Sequence, residues 1–89
     1  MSKTIKELLL GIKIKEVKGN FNCSHNELTS LEGSPEIVGV DFDCAYNDLT
    51  SLEGSPKIVK GDFYCNNNKV KFTRDDVRKV CNVKGYIHV

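Results

Sequence analysis

With 89 residues, a net charge of +1, 39% hydrophobic and 28% charged residues, the chain has room for one domain and one modest core. No apolar run approaches the roughly 20 residues of a membrane-spanning helix, so no membrane role is expected. The charge is unevenly spread: residues 1–18 hold five Lys and two Glu, residues 19–58 one Lys and seven acids, and residues 59–89 seven Lys/Arg and three Asp. An acidic middle between basic ends is not the continuous basic surface of a nucleic-acid binder.

In chain order, Ser2 stands where it can cap a short helix through Ile5, Leu8 and Leu9. Ile12 and Ile14 follow as cover for the first coil of the region beyond. The run Leu8-Leu9-Leu10, flanked by Glu7 and Lys13, is too short for a signal-peptide core, and a cytoplasmic, reducing setting is expected. In that setting four Cys without CxxC or Cys/His clustering read as free thiols.

From Val17 the chain repeats itself at a step of 21 residues. "NELTSLEGSPEIV" (Asn26–Val38) returns as "NDLTSLEGSPKIV" (Asn47–Val59). Phe21, Phe42 and Phe63 align, as do Cys23, Cys44 and Cys65; Asn26, Asn47 and Asn68; and Leu28, Leu49 and Val70. "VKGYIHV" (Val83–Val89) echoes "VKGDFYC" (Val59–Cys65) as a partial fourth line. In F-x-C the apolar residues alternate, as in a strand with one buried face. The Asn three residues after the Cys falls where the chain must turn, L-x-x-L sends apolar residues inward on the return leg, and G-S-P closes the coil. One coil cannot bury its inner face alone, but stacked copies can, with parallel strands about 4.8 Å apart. The aligned Asn side chains are then placed to bond backbone groups that the turn leaves unpaired.

The third line breaks: "NKVKFTRDD" replaces "NDLTSLEGS". Thr73 and Asp76 have the spacing of a capping box, and Val77, Val80 and Cys81 recur at helical spacing. A helix from Arg74 to about Cys81 is predicted, shielding the last coil, and then a strand near Tyr86–Val89.

The segments "FNCSHNELTSL" and "FDCAYNDLTSL" resemble the leucine-rich repeat pattern L-x-L-x-x-N-x-L-x-x-L, with Phe and Cys in the first two apolar slots. The short period and late Pro are most similar to the compact bacterial and bacteriophage type. The resemblance implies an α/β repeat fold, a short leucine-rich-repeat solenoid with a parallel sheet occupying residues 1–89: an N-terminal cap over 1–16, repeats over 17–72, and a capping helix plus strand over 73–89. It also implies binding of another protein through the concave strand face.

If Phe and Cys point inward, the residues between them point to that face. These are Asn20, Asn22 and Ser24; Asp41, Asp43 and Ala45; Asp62, Tyr64 and Asn66; and Tyr86 with His88. His25, Tyr46 and Asn67 lie just past the strand ends. Asp41, Asp43, Tyr46, Asp62, Tyr64, Asn66, Tyr86 and His88 are the expected partner-binding set, because aromatic residues anchor interfaces. The other reading of this face is a solvated surface.

No catalytic motif is visible, His25 and His88 fall in distant lines, and no enzyme activity, metal or cofactor is expected. Three Asp without a ligating loop do not make a calcium site. The Cys column reads as core packing, since parallel side chains suit neither a disulfide nor tetrahedral ligation. The expectation is a small protein-binding module, and the likeness to phage repeats suggests a phage-encoded regulator or inhibitor of a host protein. Two alternatives stand beside it. One is a nucleic-acid-associated protein using Lys69, Lys71, Arg74, Arg78, Lys79 and Lys84; the other is a structural module that associates with itself through an open sheet edge.

Overall fold

A computed structural model describes residues 3–89. The chain winds into a parallel-strand β-solenoid of about three turns. Its elements in order are α1 (Ile5–Leu8), β1 (Glu16–Val17), β2 (Phe21–Asn22), β3 (Ile37–Val38), β4 (Phe42–Asp43), β5 (Ile58–Val59), β6 (Phe63–Tyr64), α2 (Arg74–Arg78), β7 (Asn82–Val83) and β8 (Ile87–His88). Among the described residues they form two four-stranded parallel sheets, β1-β3-β5-β7 and β2-β4-β6-β8.

The register is that of the repeat. Phe21 pairs with Phe42, Phe42 with Phe63, and Phe63 with Ile87. Each coil therefore lays its Phe on the one before, with ring centroids 6.0 Å apart for Phe21–Phe42 and 5.2 Å for Phe42–Phe63. Phe42, Phe63, Leu28, Leu31, Leu49, Val38 and Val59 are fully buried, and the Cys column is buried beside them. The Cys23 and Cys44 thiols each donate to a carbonyl of the next coil, that of Asp43 and that of Tyr64, both at 3.2 Å.

The second sheet corrects the expectation of a single one. The Ile-Val pair after each Pro is itself a strand, so every coil bears two short strands around one corner. Two residues are too few to display an alternation, which is why this strand does not announce itself in the sequence. The G-S-P turn before it is tight. Gly54 sits at φ +91°, and a Cβ there would approach Glu32 N of the coil below to 2.7 Å.

Both ends differ from the expected detail. Thr4 is the N-cap of α1, accepting from Glu7 N–H at 3.2 Å; Ser2 lies outside the described residues. Ile5 is fully buried, but Ile12 is 64% exposed and Ile14 only half-buried. Leu10 (φ 54°) and Gly11 (φ 78°) are both left-handed, and they carry the chain outward before Ile12 can fold back.

At the other end Thr73 and Asp76 form the reciprocal box. Thr73 Oγ1 accepts from Asp76 N–H at 3.2 Å, and Asp76 Oδ2 accepts from Thr73 N–H at 2.9 Å. The helix ends at Arg78 rather than Cys81. The chain must leave it early, because Asn82 N–H bonds Lys57 O at 2.8 Å to start β7, a strand the sequence reading lacks. Val70 departs from its column: Leu28 and Leu49 are fully buried, whereas Val70 is exposed and Phe72 turns inward in its place.

Candidate functional site

The strand face of β2-β4-β6-β8 carries two columns of side chains, fixed by the pairing of Asn22 with Asp43, Asp43 with Tyr64 and Tyr64 with His88. One column is therefore Asn22–Asp43–Tyr64–His88. The other, two residues earlier on each coil, is Asn20–Asp41–Asp62–Tyr86.

The second column is a hydrogen-bond ladder. Asn20 Oδ1 accepts from Asp41 N–H at 2.9 Å, Asp41 Oδ1 from Asp62 N–H at 2.8 Å, and Asp62 Oδ1 from Tyr86 N–H at 2.9 Å. Gly61 exists to let it pass, since a Cβ there would strike Asp41 Oδ1 and the Val40 carbonyl. Asp41 and Asp62 are thus part of the scaffold as well as of the face. A short side chain with an acceptor oxygen stands in this slot on three successive lines; that regularity is the signal from which the ladder could have been read.

The first column is aromatic at its C-terminal end. The rings of Tyr64 and His88 stack with centroids 4.2 Å apart and planes within 6°. His88 Nε2 meets Asp62 Oδ2 at 3.1 Å. The N–H of Tyr86, then the His88 side chain, hold the Asp62 carboxyl below the usual carboxylate range. Burial, then the fields of Asp62, Asp41 and Asp43, push the Tyr64 phenol up. Asp43 Oδ1 accepts from Ala45 N–H at 2.9 Å, as Asn22 Oδ1 accepts from Ser24 N–H at 3.0 Å one coil earlier.

Past the strand ends a third column contains His25, Tyr46 and Asn67, all left-handed, at φ 58°, 56° and 57°. His25 and Tyr46 stack at 4.6 Å and within 9°. Asn tolerates this conformation well, whereas His and Tyr hold it at a cost of about 1–2 kcal/mol each. Tyr46 is 50% and Tyr86 78% exposed. Asn66 is half-buried, and its carbonyl accepts from Tyr46 N–H at 3.0 Å.

The structure therefore brings Asp41, Asp43, Asp62, Tyr64, Tyr86 and His88 onto one face, with Tyr46 at its margin. Ala45, expected outward, is buried at 3%. The Asp43 turn draws its backbone in, and the Asn47 side chain bonds its carbonyl at 3.2 Å. Of the basic residues of the C-terminal third, Arg74 and Arg78 are exposed on α2, off this face, and Arg78 pairs with Asp75 at 3.1 Å. Among the described residues no group of three or more His, Cys, Asp or Glu could hold a metal ion, and no helix is long and apolar enough to cross a membrane.

The pairing of identical slots around a Phe-lined interior defines the class: a repeat β-solenoid with an acidic, aromatic strand face. Compared with protein-family models, curated proteins and solved structures, the chain matches none.

Proposed function

We propose that this chain is a small protein-binding module of the leucine-rich-repeat type, and that its partner docks on the β2-β4-β6-β8 face. The observation that supports this reading is the exposure of aromatic rings on a rigid, laddered strand face. Tyr86 is 78% and Tyr46 50% exposed, with the Tyr64–His88 stack between the acidic column and the sheet's end. Burying exposed rings needs a partner, and rings fixed by stacking lose little entropy when they are covered. The described parts of the expected caps over 1–16 and 73–89 then close the two ends of the stack. On this reading the module works in the cytoplasm and is not an enzyme; the resemblance of its repeat to compact phage and bacterial ones supports the role of a phage-encoded regulator or inhibitor of a host protein.

The test is capture from a bacterial lysate with the native chain as bait, followed by affinity measurement for Tyr64→Ala and for Arg74→Glu/Arg78→Glu. Tyr64→Ala should weaken the captured protein by about 2 kcal/mol or more, the size of an interface hot spot, while leaving the fold intact. Loss of binding with the Arg pair and none with Tyr64 would instead identify nucleic acid or another acidic partner.

A further inference from the structure

The Tyr64–His88 stack is incomplete on one side. Tyr64 and His88 are paired residues on adjacent strands with parallel rings, so the ring normals run along the stack of strands. One face of Tyr64 is covered by His88. The other looks toward β4, where the paired residue is Asp43, whose short side chain cannot cover it. What remains is an open slot above the short Asp43 side chain, walled on one side by the uncovered face of Tyr64. Asp41 stands in the adjoining column.

These carboxylates are held but not used up. Asp43 Oδ1 is engaged by Ala45 N–H and Asp41 Oδ1 by Asp62 N–H. Among the described residues, Oδ2 of each makes no hydrogen bond with the protein. The strand segments 20–24, 41–45, 62–66 and 86–89 contain Asp41, Asp43 and Asp62 but neither Lys nor Arg. Nothing on the face itself neutralises the two free oxygens.

We propose that the slot receives an arginine side chain of the partner protein. A guanidinium is flat enough to continue the Tyr64–His88 stack, is attracted by the ring's quadrupole, and directs its N–H groups in its own plane toward carboxylate oxygens. Lysine offers a compact point charge that can neither extend the stack nor bridge two carboxylates in one plane. This inference rests on the protein-binding reading above and adds the chemistry of the group that is recognised.

The probe is a blocked tripeptide with central arginine, titrated into isotope-labelled protein at low ionic strength and followed by backbone amide shifts. Matched lysine and citrulline peptides serve as comparisons. Shifts centred on Asp43, Tyr64 and His88, with Kd at least threefold lower for arginine than lysine and no binding of citrulline, are expected. Asp43→Asn keeps the turn, as Asn22 does in the coil below, and should raise Kd at least fivefold. Tyr64→Leu should do the same. Equal affinity for lysine, indifference to Asp43→Asn, or shifts centred elsewhere would overturn the proposal. So would concentration-dependent self-association abolished by Arg74→Gln/Arg78→Gln, which would give the slot to a second copy. If a captured protein protects this face yet binds Asp43→Asn normally, the arginine assignment fails and the docking face survives. If it protects another surface, the docking face itself fails.

Discussion

Replacing Asn47 by Leu should cost this protein a large share of its stability. The side chain is 93% buried by its 7% exposure and works in both directions. Oδ1 accepts from Asn26 N–H at 2.9 Å and Leu28 N–H at 3.0 Å; Nδ2 donates to the Cys23, Cys44 and Ala45 carbonyls at 3.1, 3.0 and 3.2 Å. Leu has a similar outline and no polar atom, so two backbone N–H groups would be left without a partner in the turn. At about 1–3 kcal/mol each, the loss is about 2–6 kcal/mol. A chain of this length has roughly 4–13 kcal/mol in all. Asn26→Leu is the internal control, because among the described residues the Asn26 side chain makes one bond, to Ser24 O at 3.0 Å; it should cost about 1 kcal/mol. Urea unfolding followed by tyrosine fluorescence, with m-values compared to confirm that the folded states are alike, measures both. Equal losses for the two variants, or an Asn47→Leu variant within about 0.5 kcal/mol of the parent, would refute the assignment of these bonds as what holds the turn.

Other outcomes follow from the same geometry. Burial, then Asp43, pushes the Cys23 thiol up from 9.0 to about 12, and burial pushes Cys44 up as well, so folded thiols keep protons that unfolded ones release. That stability is intact below the unfolded value and is lost progressively as pH rises from there through the folded value of about 12. One pH unit above the unfolded value, Cys23 alone accounts for a loss of about 1 kcal/mol. Urea curves under reducing conditions at about pH 8 and about pH 10 should therefore diverge less in Cys23→Ala than in the parent, and an unchanged divergence would contradict the burial argument. At Asp41, Asn should be tolerated and Ala should not, because Asn20 already fills this ladder slot one coil earlier. Ala leaves the Asp62 N–H unbonded, at about 1–3 kcal/mol if water cannot replace the bond; equal melting of the two variants would show that the ladder is ornamental.

How much of this could be read in advance differs from residue to residue. The Phe, Cys and Asn columns were legible because each slot is filled by one residue type at a constant step, and stacking is the one arrangement that uses such constancy. The ladder of Asn20, Asp41 and Asp62 was hidden behind charge. An Asp at a strand end reads first as solvation or as a contact, and only the recurrence of a short acceptor side chain at the same slot hints that its oxygen accepts from the next coil. Ile37–Val38 and Ile58–Val59 were hidden by brevity. Ile12 was misplaced because nothing in Leu10 foretells a left-handed turn. For the site, Tyr64, Tyr86 and His88 follow from alternation alone, but the parallel stacking of Tyr64 on His88 depends on the fourth coil returning after an irregular insertion that contains α2. The pairing of Phe63 with Ile87 fixes that return.

The two ladders point in opposite senses along the solenoid. Asn20, Asp41 and Asp62 each reach toward the C-terminal neighbour, whereas Asn47 and Asn68 reach back, Asn68 accepting from Leu49 N–H at 3.0 Å. Among the described residues, the coil from Asp41 to Leu49 is the one gripped from both sides, at Asp41 N–H from below and at Leu49 N–H from above. Hydrogen exchange should accordingly be slowest there and quicken toward either terminus, so that the molecule frays from its ends and keeps Asp43 in register until the last step. Such a device also sets no length of its own. A duplicated 21-residue unit would meet matching acceptors above and below, whereas Tyr86, in the same ladder slot, accepts nothing through an amide or carboxylate oxygen and only donates its N–H to Asp62.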